Sequence, residues 1–304
     1  MIAANNVTMK FYAPDRAPFV ALSALSCQIP KGCIYGMIGS NGAGKSTFLR
    51  LLSGVYRPDE GSIEIDGEPV WENPHAKGRI VYIPDELYFL PQSNIREMAR
   101  LYRSLYPAFS MQRLHELTDA FHLDERANIQ TFSKGMRRQA ATVLALSSQP
   151  DYLFFDETFD GLDPVMRQMV KQIIYQDVLE RQMTTIITSH SLQELEDTCD
   201  QLALLHRGGI VFESDVQDLK TSLFKVQIAL DQPYGKEKFL GIDMLSYTQV
   251  GSVSGFIVRG DRGMVEQHLR GMSPLLLDLL PLSLEEVFVH EMKALGYSVD
   301  DMVG

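Results

Sequence analysis

The chain has 304 residues with 45% hydrophobic and 22% charged side chains, the composition of a globular protein, and its length predicts about two domains. It carries 28 Lys+Arg against 39 Asp+Glu, a formal net charge of −11, which argues against a nucleic-acid partner. No apolar run approaches the roughly 20 residues of a membrane helix and the N-terminus lacks a secretion-signal pattern, so we expect a cytoplasmic protein.

The first 85 residues alternate short strands with turns and one helix. An apolar run over residues 32–38 predicts a strand, and helix formers predict a helix over residues 45–52. Ile63 and Ile65 alternate with polar neighbours, as in a half-buried strand.

A glycine-rich loop connects the strand and the helix. Its sequence satisfies G-x-x-x-x-G-K-[ST], which holds phosphate when it follows a strand and opens a helix: Gly39, Ser40, Asn41, Gly42, Ala43, Gly44, Lys45, Ser46 and Thr47. Glycines let backbone N–H groups turn towards phosphate oxygens at the positive end of the helix. Lys45 would reach the β- and γ-phosphates, and the Ser46 hydroxyl would ligate Mg²⁺. A glycine turn without a ligand is the alternative.

Residues 86–148 have the pattern of a mainly helical insert. Ser93 is the expected N-cap of a helix that stops at Pro107, and Ser110 is the expected N-cap of the next one. After Pro150, strands and helices alternate again, which predicts a largely parallel sheet.

An apolar strand pattern over residues 150–157 ends in two carboxylates. Because ligands bind at the carboxyl ends of parallel strands, both acids would face the phosphates. Asp156 is the expected magnesium ligand, and Glu157 is expected to polarise the attacking water. The alternative is a strand that ends in acids only because it reaches solvent.

A second β-branched strand, residues 184–189, is followed by His190. An isolated histidine is more often structural than catalytic, but at a strand end the imidazole of His190 can reach a γ-phosphate oxygen. We therefore count His190 with Lys45 and Glu157 as candidate catalytic residues.

From about residue 221 the pattern changes to alternating strands, a hairpin near Gly251 and a last helix with a capping box of Ser283 and Glu286. We expect an α/β P-loop NTPase domain over residues 1–220, with a mostly parallel sheet and the helical subdomain at about 86–148. A small α+β accessory domain is expected over residues 221–304.

The three cysteines, Cys27, Cys33 and Cys199, form no C-x-x-C pair, which is typical of reduced, buried thiols. Cys27 and Cys33 flank a predicted turn, so a strained redox pair is the alternative.

Further motifs carry a resemblance to a known family. Residues 132–136, Phe-Ser-Lys-Gly-Met, precede a small-residue helix and resemble the L-S-G-G-Q signature of ATP-binding cassette (ABC) ATPases. Residues 160–163 resemble that family's D-loop, and His190 matches its switch histidine. Together with the glycine loop and the acidic strand, these motifs occur in the same order along the chain as in the family, and the resemblance covers residues 1 to about 220. Residues 283–288 are similar to tails of bacterial exporter ATPase subunits.

The resemblance implies a nucleotide site completed by a second cassette. In this family two cassettes pack head to tail, and ATP on one glycine loop is closed over by the other's signature. Ser133, Gly135, Met136 and Asp163 would then contact nucleotide. Ser133 and the N–H of Gly135 lie at a predicted helix N-terminus, which suits an anion.

An aromatic side chain from the first strand region would stack on adenine. Phe11 matches the family's position best, and Tyr12 is an adjacent alternative. The competing interpretation is an aromatic that belongs to the hydrophobic core.

Some positions depart from the family's pattern. Asp85 stands where a glutamine usually touches the magnesium shell, and because a carboxylate binds hard cations, we group Asp85 with Ser46 and Asp156 as magnesium ligands. Lys134 and Met136 replace the usual Gly and Gln, and Thr158 replaces a proline. We expect these changes to affect hydrolysis more than binding.

The resemblance implies an ATP-binding and ATP-hydrolysing subunit that powers a separate membrane-spanning transporter, in particular an exporter. It would dimerise with a second ABC ATPase subunit, either a copy of this chain or a paralogue, and lie on the inner face of the cell membrane through its transmembrane partner. A soluble ABC ATPase that acts as an assembly scaffold is the alternative function.

Overall fold

The structure, a computed structural model, describes residues 1–14, 17–157, 162–294 and 296. Contacts within the chain divide it into two compact units, Met1–Glu213 and Ser214–Gly304.

The strands of the first unit are β1 (Ile2–Phe11), β2 (Phe19–Ile29), β3 (Ile34–Ile38), β4 (Glu60–Ile65), β5 (Glu68–Pro69), β6 (Ile80–Ile83), β7 (Tyr152–Asp156), β8 (Thr184–Ser189), β9 (Gln201–His206) and β10 (Gly209–Asp215), whose last two residues lie past the boundary of the unit. Its helices are α1 (Lys45–Leu52), α2 (Pro74–Lys77), α3 (Ile95–Leu105), α4 (Met111–Ala120), α5 (Lys134–Ser147), α6 (Pro164–Arg181) and α7 (Leu192–Glu196).

A largely parallel sheet with the strand order β10-β9-β3-β8-β7-β6 forms the centre of this unit. The pairs β3–β8, β3–β9, β6–β7 and β7–β8 are all parallel. Every residue of β3, β7 and β8 is buried, as expected for parallel strands that are covered on both faces. The predicted α/β class is confirmed.

Helix α1 is packed within the main hydrophobic core of this unit. A smaller sheet with the order β2-β1-β4-β5 supplies Ile2 and Leu25 to this core, and the parallel sheet supplies Phe154. Phe48 and Leu49 of α1 are buried among them. Because both sheets contribute to this core, it fixes the start of α1, where the glycine loop ends.

The helices expected in the insert are present, with one correction at a cap. Asn94, rather than Ser93, is the N-cap of α3: its side chain accepts a bond from the N–H of Glu97 at 2.9 Å. The Glu97 carboxylate accepts the N–H of Asn94 at 3.1 Å, which completes a capping box that the Asn-x-x-Glu spacing favours. Ser110 caps α4 as predicted.

The second unit consists of α8 (Val216–Ser222), β11 (Leu223–Ala229), β12 (Met244–Val250), β13 (Val253–Arg259), α9 (Arg262–Arg270), β14 (Leu276–Pro281) and α10 (Leu284–Ala294). Its antiparallel sheet has the order β12-β13-β11-β14. Phe224, Phe256 and Leu269 belong to its core. The predicted Ser283–Glu286 capping box is present.

The three cysteines are free and buried, as predicted. Burial raises the pKa of Cys27 and of Cys33 to about 12, so both remain protonated thiols at neutral pH. The alternative of a redox pair is therefore unsupported.

An ion pair joins the helical insert to the parallel-sheet core. Arg113 of α4 donates to both carboxylate oxygens of Asp177 on α6, each at 2.7 Å. The Asp177 side chain is only 1% exposed, so its charge depends on Arg113 and on Arg181, whose Nε lies 4.0 Å from Oδ1 of Asp177.

We expect Asp177→Asn to lower the free energy of unfolding by about 3 kcal/mol, because Arg113 loses its charge partner at a buried site. Denaturant unfolding followed by circular dichroism measures the change. Glu180→Gln, at an exposed position on the same helix, is the control and should stay within about 0.5 kcal/mol of the unchanged protein. Equal losses in the two variants would contradict this role of the ion pair.

Candidate active site

The carboxyl ends of three neighbouring parallel strands meet at the candidate site. β3 leads into the glycine loop, β7 ends at Asp156, and β8 ends at Ser189. The strand register pairs Ile38 with Ser189 and Asp156 with Thr188. Ligands of open α/β sheets bind at this edge, and the loop and the acids lie together there.

The backbone of the loop depends on glycine. Gly42 and Gly44 have φ of 81° and 111°, in the left-handed region that favours glycine. A Cβ on Gly44 would lie 2.7 Å from the carbonyl oxygen of Ala21, so a side chain cannot be accommodated there. The first N–H groups of α1 follow directly and lack partners within the helix, which makes this turn suitable for phosphate.

Lys45 is a buried cation that folds back across the loop. Its Nζ donates to the carbonyl oxygen of Gly39 at 2.7 Å and to that of Ser40 at 3.3 Å. The same Nζ lies 3.2 Å from Oε1 of Glu157. Two candidate catalytic side chains are therefore in direct contact.

Asp156 is buried and held by three hydroxyl groups. Its Oδ1 accepts from Ser46 Oγ at 2.9 Å and from Thr188 Oγ1 at 3.1 Å, and its Oδ2 accepts from Tyr82 OH at 2.8 Å. Burial, together with the Asp156 charge, raises the pKa of Tyr82, so this phenol stays protonated and donates.

The donor set at Ser46 and Asp156 suits Mg²⁺. A hydroxyl and a carboxylate in contact are hard oxygen ligands of the kind that Mg²⁺ prefers. Across the described residues, no three His, Cys, Asp or Glu side chains cluster as a metal site. An ion here would thus depend on substrate phosphates and water for most of its ligands, as is usual for Mg²⁺ at nucleotides.

Glu157 has a constrained backbone. Its φ of 51° is left-handed, which costs about 1 kcal/mol for a residue with a side chain. Its N–H donates to the carbonyl oxygen and to Oγ1 of Thr188, both at 3.2 Å. Its carbonyl oxygen accepts from Arg138 Nη1 at 3.4 Å. Both backbone polar groups of Glu157 therefore help to hold this conformation.

A cavity of about 270 Å³ lies over the loop. Asp85 belongs to its wall, and its Oδ1 accepts from Arg138 Nη2 at 2.7 Å. The cavity is lined by Phe19, Ala21, Asn41, Gly42, Ala43, Gly44, Lys45, Ser46, Thr47, Asp85 and Glu157.

The aromatic side chains lie where β1 of the smaller sheet ends and β2 begins. Phe11 ends β1, is 37% exposed and makes an edge-to-face contact with Tyr56 at 5.8 Å between ring centroids. Tyr12 is 72% exposed. Phe19, opposite Phe11 in the register, lines the cavity and was missed by the sequence analysis. The assignment of adenine stacking to Phe11 stays a prediction, and Phe19 is a further candidate.

His190 directly follows β8 and has an exposed side chain. β8 pairs with both β3 and β7, so His190 lies at the same edge of the sheet as the loop and the acids. Among the described residues it is not part of the cavity wall.

The signature residues lie at the start of α5. Ser133 is its N-cap, and its Oγ accepts the N–H of Met136 at 3.2 Å. Ser133, Gly135 and Met136 are absent from the described wall of the glycine-loop cavity. The predicted helix N-terminus is confirmed, whereas contact of these residues with nucleotide stays a prediction.

Asp163 caps α6, with its Oδ1 accepting the N–H of Val165 at 3.0 Å and of Met166 at 3.1 Å. Thr158 and residues 160–161 lie outside the described residues.

Three residues that form hydrogen bonds at the acidic strand were not predicted from the sequence. Tyr82 and Thr188 donate to the Asp156 carboxylate, and Arg138 donates to the backbone carbonyl oxygen of Glu157. Tyr82 and Thr188 occupy strands whose pattern signals only burial, and Arg138 is one of two adjacent arginines in α5. A polar residue one or two positions before a strand's carboxyl end is a weak signal for such a role.

Comparison with known proteins shows clear sequence relatives. The family model described as ABC transporter matches residues 22–160. The ABC transporter ATP-binding protein YtrB of Bacillus subtilis is 30% identical over 269 residues, which cover 88% of this chain and 91% of that protein. The Nod factor export ATP-binding protein I of Burkholderia lata is 30% identical, with 89% and 91% covered.

Solved structures have the same fold. An ATP-binding subunit of an ABC transporter has a TM-score of 0.65 and 24% identity, and the match covers 72% of this chain and 91% of that one. A dimeric ATP-binding cassette bound to ADP and Pi also has a TM-score of 0.65, with 20% identity and 71% and 99% covered.

In the part of the chain that the structure describes, no helix combines the length and apolar character needed to cross a bilayer. The motifs, the fold and the relatives agree, and the chain belongs to the ABC transporter family as an ATP-binding subunit that hydrolyses ATP.

Proposed function

We propose that this chain powers a membrane-spanning exporter by closing ATP between two cassettes, each supplying half of the pocket. The observation that carries this proposal is the separation of the two halves within one chain. The glycine-loop cavity contains Lys45, Ser46 and Glu157, whereas Ser133 and Gly135 lie at the N-terminus of α5, outside its described wall. A dimeric cassette among the structures with this fold supports the arrangement.

Lys45, Ser46 and Asp156 would hold the ATP–magnesium complex. The ion, when bound, neutralises phosphate charge and orients the phosphates. Lys45 exchanges its contact with Glu157 for phosphate oxygens, because the triphosphate is the stronger anion. We assign Asp85 to the magnesium shell through the carboxylate oxygen that does not accept from Arg138.

Glu157 would polarise the attacking water once Lys45 has turned to the phosphates. A carboxylate next to the γ-phosphate can accept a proton from water, and phosphoryl transfer depends mainly on such positioning. His190 would donate to a γ-phosphate oxygen from the end of β8. Phe11 or Tyr12 would stack on adenine, and the partner's signature would close the pocket.

A second cavity of about 530 Å³ offers a place for the membrane partner. Its lining includes Asp85, Leu87, Phe132 and Arg137, from the segment after β6 and from the insert. Its apolar and charged side chains suit a helix of a transporter subunit. The Nod factor export relative supports the direction of transport, and such a partner would keep the chain at the inner face of the cell membrane.

We expect Glu157→Gln to trap an ATP-bound dimer, because the amide cannot accept a proton from water while the rest of the pocket is kept. Light scattering at saturating ATP should show a doubling of mass. The double variant Lys45→Ala, Glu157→Gln should stay monomeric. A Glu157→Gln protein that stays monomeric at saturating ATP would refute a pocket shared between two copies of this chain.

We expect Lys45→Ala to weaken ATP binding about 100-fold, because charge-assisted hydrogen bonds to phosphate are lost. Calorimetry measures the affinity, and Lys31→Ala, which removes an exposed lysine from the same unit, is the control. Unchanged affinity in Lys45→Ala would contradict the phosphate role of the loop.

We expect Asp85→Gln to require about tenfold more Mg²⁺ for half-maximal ATP hydrolysis, because an amide is a weaker ligand than a carboxylate. A magnesium titration of the ATPase rate measures this shift, with Glu180→Gln as the surface control. An identical titration curve for Asp85→Gln would remove Asp85 from the magnesium shell.

A further inference from the structure

Arg138 is a buried cation with two partners near the nucleotide cavity. Its side chain is 4% exposed, although α5 begins at the protein surface. One arm of the guanidinium, Nη2, donates to Asp85 Oδ1 at 2.7 Å, and the other, Nη1, donates to the carbonyl oxygen of Glu157 at 3.4 Å. A buried arginine is stable only with such partners, so these two hydrogen bonds fix the position of the Arg138 guanidinium.

The partner Asp85 belongs to two cavities. It lines the nucleotide cavity with Lys45 and Glu157, and it lines the second cavity with Arg138. Its side chain is 53% exposed, so Asp85 remains accessible while Arg138 does not. The Asp85 side chain is therefore common to the walls of both cavities, and its partner Arg138 lines the second one.

The other partner is the constrained backbone of Glu157. The left-handed φ of this residue is held at its N–H by Thr188 and at its carbonyl oxygen by Arg138. If the bond from Arg138 is lost, the peptide group after Glu157 is no longer fixed on that side. The direction of the Glu157 carboxylate depends on this backbone, so the effect reaches the group that polarises water.

We propose that Arg138 is a positioning residue for ATP hydrolysis, which fixes the backbone of Glu157 and is itself fixed by Asp85. This inference rests on the proposed role of Glu157. Arg138 touches neither the phosphates nor the water in this scheme, and it acts only through its two partners. Its loss should therefore lower kcat and leave nucleotide affinity nearly unchanged.

The test compares Arg138→Met with Arg113→Met in the full chain. Both variants remove an arginine from an ion pair in the first unit, but Arg113 bonds Asp177, outside the candidate site. We expect Arg138→Met to lower kcat about tenfold, with ATP affinity within about threefold, and Arg113→Met to change stability alone. Arg138→Lys keeps the charge without the two-armed geometry and should restore part of the rate. Equal kcat in Arg138→Met and the unchanged protein would overturn the proposal.

A measurement without nucleotide separates this inference from the proposed function. Hydrogen exchange of the segment that contains the Glu157 amide should be about tenfold faster in Arg138→Met and unchanged in Arg113→Met. Asp85→Ala should accelerate the same exchange when Arg138 is present and add nothing in the R138M background, because Asp85 acts through Arg138. Unchanged exchange in both Arg138→Met and Arg138→Lys would overturn the inference even if ATP-driven dimerisation holds. Faster exchange in Arg138→Met, together with a lack of ATP-driven dimerisation, would support the positioning role of Arg138 and contradict the shared nucleotide pocket.

Discussion

A buried ammonium group at the centre of the glycine loop is the interaction on which the site depends. Lys45 is almost fully enclosed, and loop carbonyl oxygens and the Glu157 carboxylate surround its Nζ. A charge in such a place is stable only if oxygen ligands surround it, so the loop must fold back on itself. The glycines at positions 42 and 44 make that turn possible.

The buried carboxylate of Asp156, at the end of β7, is likewise stabilised by polar partners. Asp156 accepts hydrogen bonds from hydroxyl groups of α1, β6 and β8. Hydroxyl donors stabilise a carboxylate without neutralising its charge. The pocket is thus organised around oxygen atoms and a small number of fixed charges.

The sequence was sufficient for the features that local rules determine. The loop pattern, the strand that ends in Asp156 and the Ser110 cap each depend on neighbouring residues, and each is present. The cap of α3 was misplaced by one residue because Ser93 and Asn94 both suit the position, and the Glu97 side chain decides between them.

What the sequence could not supply is the set of contacts between distant segments. Tyr82 and Arg138 are 74 and 19 residues from the groups that they bond at the acidic strand. Neither spacing has a local signature, because sheet order and the packing of the insert create these contacts. Phe19 reaches the cavity for a similar reason, through its pairing with Phe11 across two strands.

The contact between Lys45 and Glu157 has a consequence for substitutions at the acid. Before nucleotide arrives, the carboxylate competes with incoming phosphate for the same ammonium group. Replacing the Glu157 carboxylate with an amide removes the anion that competes for Lys45 and also removes the proton acceptor. Tighter retention of ATP in such a variant would therefore have two causes. Hydrolysis is slower, and Lys45 binds phosphate without first having to break an ion pair with Glu157.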